Sequence, residues 1–151
     1  MPTFTKITVS VIVNASLTQT WKAFTSISSI AQWNFASDDW CCPKAINDLR
    51  EGGSFNYRME SVDHKHGFDF YGTYTKVVPE NRIDYTLGDD RKVSIVFRKL
   101  DDKTEVIETF EAETENSLDL QKHGWQAILE NFRKHAEMEA SVMQNVQHRL
   151  Q

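Results

Sequence analysis

The sequence predicts an α+β domain: a curved antiparallel β-sheet wrapped around one long C-terminal helix, with two short helices after the first strand. Three observations lead there. Residues 53–112 alternate apolar and polar side chains through several short segments separated by turn-like triads and tetrads. Near the end of the chain the spacing changes, with Trp125, Ile128, Leu129 and Phe132 at i, i+3, i+4 and i+7. The chain of 151 residues, 40% hydrophobic and 11% aromatic, is long enough for one domain with a real core and carries no internal repeat or linker.

Residues 3–13 open the chain as a strand, with Ile7, Val9, Val11 and Val13 on one face and Thr8, Ser10 and Ile12 on the other. The next segment, SLTQTWKAFTS, starts a helix: Ser16 and Gln19 have capping-box spacing, and Leu17, Trp21 and Phe24 follow at i, i+4, i+7. Ser29 and Gln32 in SSIAQW repeat the spacing, which predicts a second short helix before Trp33. SFNYRME then places Phe55, Tyr57 and Met59 opposite Asn56, Arg58 and Glu60, and GFDFYGTYTKVV, RIDYTL, KVSIVF and TEVIETFEA continue the alternation. Their separators HKHG, PEN, GDDR and DDK are short, so neighbouring strands are antiparallel. This gives a meander of about five strands, or six if KAIND also pairs. The closing helix starts near Ser117 or Leu118. Beyond it, EASVMQNVQHRLQ continues the pattern weakly through Met143, Val146 and Leu150. We therefore expect a single domain over residues 1–138 and, over 139–151, either a helical extension or a frayed tail.

Six glycines and three prolines exclude collagen-like and low-complexity chains. No apolar run approaches the ~20 residues of a membrane span, and no charged-then-apolar leader opens the chain, so a cytoplasmic protein is expected. With 17 basic against 22 acidic residues the net charge is −5, and the basic residues are scattered singly. Such a surface repels phosphate backbones, and nucleic acid is not an expected partner. A disulfide between the adjacent Cys41 and Cys42 would need a strained ring, so free thiols are expected.

The element order and particular residues resemble the START-like (SRPBCC, helix-grip) superfamily, in its branch named after the activator of the heat-shock protein 90 ATPase. The resemblance is carried by the Trp21 helix, AQWNF with Trp33, LREGGSF with Gly52 and Gly53, FYGTY with Gly72, and KVVPENRIDYT with Pro79 and Tyr85. TEVIETF and the GWQAILENF helix with Gly124 and Trp125 complete it, over roughly residues 5 to 137. It implies a deep apolar pocket for a small ligand, because relatives of the fold include lipid-transfer, plant-hormone and pollen-allergen proteins, aromatase/cyclases and the co-chaperone domain. The eukaryotic activator carries a further N-terminal domain for which this chain has no room, which counts against a chaperone partner.

The stretch NFASDDWCCPKA concentrates chemistry-bearing residues in one loop. Zinc sites use spaced Cys-x₂₋₄-Cys pairs, whereas Asp38, Asp39, Cys41 and Cys42 are adjacent and would need His64 and His66 as a second half. A redox pair needs CxxC geometry, and hydrolytic carboxylates stand about 5–9 Å apart across a bond. Neither suits this loop, and no metal or cofactor is expected. Two readings remain: an Asp-capped turn with Trp40 folded onto the core, or a pocket rim in which Trp33, Phe35 and Trp40 are part core and part entrance.

Glu108 is the other signal. It shares parity with Val106 and Phe110, while Glu105, Ile107, Thr109 and Glu111 share the other face. Facing inward, its carboxyl would enter an apolar cavity, with Tyr57, Tyr85 or Arg58 as possible partners. Facing outward, it would be solvated. Alternation alone does not choose. His64 and His66 fall on a turn, and the side of the last helix that His123 takes is open. Gly52 and Gly53 precede a strand, so they serve a tight turn and do not form a phosphate loop.

The expected function is binding of a small hydrophobic or aromatic molecule between sheet and helix. Trp33 and Trp40 would stand at its rim, Tyr57, Phe70, Tyr85, Phe110 and Trp125 would form its walls, and Glu108 would be its polar fixing point. A monomer or weak homodimer is expected. The alternatives are an enzyme of cyclase or hydrolase type using Glu108 as acid or base, and a protein-binding module using the outer sheet face or the 139–151 tail.

Overall fold

The computed structural model describes residues 4–149. Its elements run β1 (Lys6–Val13), α1 (Leu17–Thr25), α2 (Ile27–Trp33), β2 (Trp40–Asn47), β3 (Ser54–Ser61), β4 (Gly67–Val78), β5 (Arg82–Leu87), β6 (Lys92–Leu100), β7 (Lys103–Glu111) and α3 (Leu118–Arg149). Thr3 and Leu150, included in the first strand and the tail pattern above, lie outside the described residues.

All strands are antiparallel and form one sheet in the order β1-β7-β6-β5-β4-β3-β2. β2 to β7 are a six-stranded meander, and β1 returns beside β7. The pairing of KAIND, left open by its weak alternation, is resolved here: Lys44, Ala45, Ile46 and Asn47 lie opposite Arg58, Tyr57, Asn56 and Phe55. β2 has no regular inward face because its register shifts between Cys41 and Lys44. At the hairpin turns His64, Glu80, Asp90 and Asp101 all take positive φ, and Gly52 does so at φ 84° before β3.

Ser16 caps α1 as its spacing predicts. Its hydroxyl accepts from the Gln19 amide while the Gln19 side chain returns to the Ser16 amide. The second helix differs from expectation. Its cap is Ser26, three residues earlier, and the Ser29 hydroxyl instead donates to Glu139 on α3 at 2.9 Å. Sequence spacing was ambiguous there because serines fill positions 26, 28 and 29.

α3 is 32 residues long and runs unbroken past residue 138. Leu129, Phe132, Ala136 and Ala140 are buried along one stripe, whereas Val142, Met143 and Val146 are exposed. The core joins that stripe to the inward faces of β1, β6 and β7 and to Ala23, Ile30 and Trp33 of the short helices. Phe24, Trp33 and Phe132 meet with ring centroids 5.1–5.3 Å apart. α3 thus packs chiefly against β1, α1 and α2, at one side of the sheet. One helix cannot cover the whole concave face of a seven-stranded sheet, and the uncovered half is where the cavity forms.

Candidate functional site

The sidedness of β7 is decided by its pairing. Glu108 stands opposite Val9 of β1 and Ile95 of β6, both buried inward residues, so its carboxyl is carried inward with them. It is 7% exposed and lines a cavity of about 310 Å³ between α3 and the β3–β6 part of the sheet.

Aromatic residues build the walls. Phe70 centres one side, with ring centroids 6.0 Å from Trp125, 6.4 Å from Tyr85 and 6.5 Å from Tyr57. Behind them Phe55 contacts Tyr57, Tyr74 and Tyr85 at 4.8–5.2 Å. Gly72 lies directly across from Phe55; a Cβ there would come within 2.5 Å of the Thr86 carbonyl oxygen. Phe24, Trp33 and Asn34, from the short helices and the cap after them, also line the cavity. Arg91, Glu113, Asn116 and Gln121 add polar groups to its lining.

The polar groups inside are few. The Tyr74 hydroxyl donates to Asn47 Oδ1 at 2.6 Å, Asn47 Nδ2 donates to the Thr25 carbonyl at 3.0 Å, and Tyr57 and Tyr74 hydroxyls are 3.4 Å apart. Burial pushes the Tyr74 phenol up to about 12. Burial, then the neighbouring Tyr74, holds Tyr57 well above its usual value, and the residue lines the cavity. Tyr85 is raised by burial and then by the charge of Glu108. Among the described residues no protein group hydrogen-bonds the Glu108 carboxyl, and burial alone pushes it up to about 8. At neutral pH the acid is therefore held largely in its neutral form.

Of the residues expected at the site, Trp33, Tyr57, Phe70, Tyr85, Glu108 and Trp125 meet around this cavity. Two do not. Phe110 is fully buried behind the wall, stacked on Trp125 with centroids 4.0 Å apart. Trp40 packs neither on the core nor into the cavity but against half-exposed Phe68 at 5.8 Å, because it begins the edge strand. Arg58 is no partner of Glu108: it points to the outer face, beside Glu60 and Asp69. Asp38, Asp39, His64, His66 and His123 are exposed. Cys41 and Cys42 are free thiols, Cys42 buried and raised by that burial. Sequence reasoning missed Phe24, Tyr74, Ile83, Ile95 and Asn47. Tyr74 was within reach, since it shares parity with Phe70 and Gly72; Asn47 was not, because β2 does not alternate cleanly.

Among the described residues no helix is long and apolar enough to cross a membrane. No curated protein matches the chain. Solved structures do. An AHSA1-like protein from Aeromonas hydrophila is 36% identical, covers 89% of this chain and 94% of its own, and superposes with a TM-score of 0.84. A protein from Cytophaga hutchinsonii is 42% identical over 89% of this chain and 93% of its own, TM-score 0.77. One from Chromobacterium violaceum, at 22% identity, 88% and 98% coverage and TM-score 0.79, shares the fold. The architecture is the helix-grip fold of the START-like superfamily. The family profile described as "Activator of Hsp90 ATPase homolog 1-like protein" matches residues 14–137, and the chain belongs to that family.

Proposed function

We propose that the protein binds a small, largely aromatic molecule in the cavity between the sheet and α3, as a carrier or sensor and not as an enzyme. One observation carries this reading: an aromatic-walled cavity holds one buried carboxyl, Glu108, that no protein group among the described residues hydrogen-bonds. Buried polar groups in folded proteins are nearly always paired, so an unpaired one facing a cavity marks where a ligand's polar group belongs. At about 310 Å³ the cavity lies at the small end of the ~300–1,000 Å³ range of ligand pockets, which favours a compact ring system over a long acyl chain.

An acid–base pair of the cyclase or hydrolase kind would place a second titratable group in hydrogen-bond reach of Glu108. Glu108 has none among the described residues, which supports binding over turnover. The test is native mass spectrometry of the purified full chain, followed by denaturing extraction. A retained small aromatic molecule, diminished in Glu108→Gln, is the expected result. A retained molecule unaffected by that change, and by Phe70→Ala, would place binding elsewhere and sink the reading.

A further inference from the structure

The hydrogen-bond polarity of the cavity wall restricts the ligand's charge; the inference rests on the binding reading above. The single hydroxyl proton of Tyr74 is given to Asn47, whose amide is itself committed to the Thr25 carbonyl. The Tyr57 proton therefore points at Tyr74, and Tyr57 has only lone pairs left for the cavity. Glu108 adds carboxyl oxygens that receive no donor among the described residues. Tyr85, whose hydroxyl makes no hydrogen bond among the described residues, is the neighbouring phenol.

One cation lies on the described lining, and acidic neighbours already offset its charge. Arg91 is the single Lys, Arg or His on the described lining. Its Nε is held by Asp89 at 2.7 Å and its Nη1 by the Glu111 carbonyl at 3.3 Å, while Glu113 adds a further carboxylate that feels the Arg91 charge. A carboxylate or phosphate ligand would add a further negative charge beside Glu108 and Glu113, with Arg91 already engaged by Asp89. A donor-bearing, positively charged group meets the opposite situation: carboxyl oxygens, a phenol lone pair and aromatic rings whose faces are negative.

We propose that the cavity takes an arylalkyl amine, its ring against Phe70 and Trp125 and its ammonium group on Glu108 beside Tyr85. Binding ionises Glu108, and the proton it held in the empty cavity leaves to solvent. The titratable or charged groups facing Glu108 are Tyr57 from β3, Tyr74 from β4, Tyr85 from β5, Arg91 before β6 and Glu113 after β7. From α1, α2 and α3 come only Phe24, Thr25, Trp33, Gln121, Trp125 and Ile128, none of which titrates.

The experiment titrates the full chain with three probes of matched shape, phenethylamine, phenethyl alcohol and hydrocinnamate, and reads the indole NMR signal of Trp125 together with calorimetry. The amine should bind about tenfold or more tightly than the alcohol, and hydrocinnamate weakest of the three. Glu108→Gln should remove the amine's advantage, bringing its affinity down to that of the alcohol; the ring-current shift from Phe110 on Trp125 verifies that the variant is folded. In the wild type, amine affinity should rise between about pH 6 and about pH 9 with proton release, whereas alcohol affinity should not. If the alcohol shifts Trp125 with equal or greater affinity, the amine class is overturned while the cavity remains a binding site. If no probe perturbs Trp125 at millimolar concentration, both fail.

Discussion

Phe110 of β7 and Trp125 of α3 stack nearly parallel, ring centroids 4.0 Å apart and planes 7° from coplanar. The contact fixes the indole that forms the helix side of the cavity. It also joins the strand that delivers Glu108 to the helix that roofs it. Phe110, expected as a wall, is the backing of one.

That role is measurable. Phe110 is fully buried and Phe68 is half-exposed at the rim. Phe110→Ala should destabilise the protein by about 3–5 kcal/mol, and Phe68→Ala by less than about 1 kcal/mol. Urea unfolding of both variants reads this difference; equal losses would show that the stack does not anchor α3.

The Glu108 carboxyl, raised to about 8 in the folded protein, titrates at an ordinary value once unfolded. The unfolded chain therefore ionises first as pH rises, and the folded state loses stability relative to it from about pH 4.5 up to about pH 8. Above that the penalty is constant, at most about 5 kcal/mol for this group. Glu108→Gln should raise the melting temperature at about pH 8 more than at about pH 5. A shift independent of pH would mean that the carboxyl is not held neutral.

Tyr74 and Tyr57 both carry phenols at the cavity, but only Tyr74 satisfies a neighbour through a short bond. Tyr74→Phe leaves Asn47 Oδ1 without its donor and should cost about 1–2 kcal/mol. Tyr57→Phe removes a donor only 3.4 Å from Tyr74 and should cost under about 1 kcal/mol. Chemical denaturation of the pair decides it: a reversed order would contradict the direction assigned to the hydrogen-bond chain.

Two glycines should respond oppositely to a methyl group. Gly72→Ala drives a Cβ to 2.5 Å from the Thr86 carbonyl oxygen and should prevent normal pairing of β4 with β5. Gly124→Ala meets nothing within 4 Å, lies inside α3, and should stabilise by about 0.5–1 kcal/mol. Thermal melts of the two variants test both signs.

Most of the fold was legible before the structure. Ile7, Val9, Val11 and Val13 do face inward, the α1 cap is Ser16, and α3 begins at Leu118, because each of these depends on neighbours within a few residues. β2 was uncertain because a bulge erases its alternation, and the α2 cap was misplaced because adjacent serines compete for it. At the site, six of eight expected residues gather around the cavity. Trp40 and Phe110 do not, since parity tells which residues share a face but not how deep each one sits.

By itself the sequence determined the element order, the antiparallel meander, the closing helix and the parity that binds Glu108 to Val106 and Phe110. Only the tertiary structure decided which way that parity faces. Glu108 turns inward because β7 is held between β1 and β6, with Val9 and Ile95 as its neighbours, and Val9 comes from the far end of the chain. A strand's alternation has period two and is blind to its partner; a register across a hundred residues is set by burying both apolar faces together. The cavity has the same origin. One helix packed over β1 leaves the other half of the sheet open, and no local pattern records that gap.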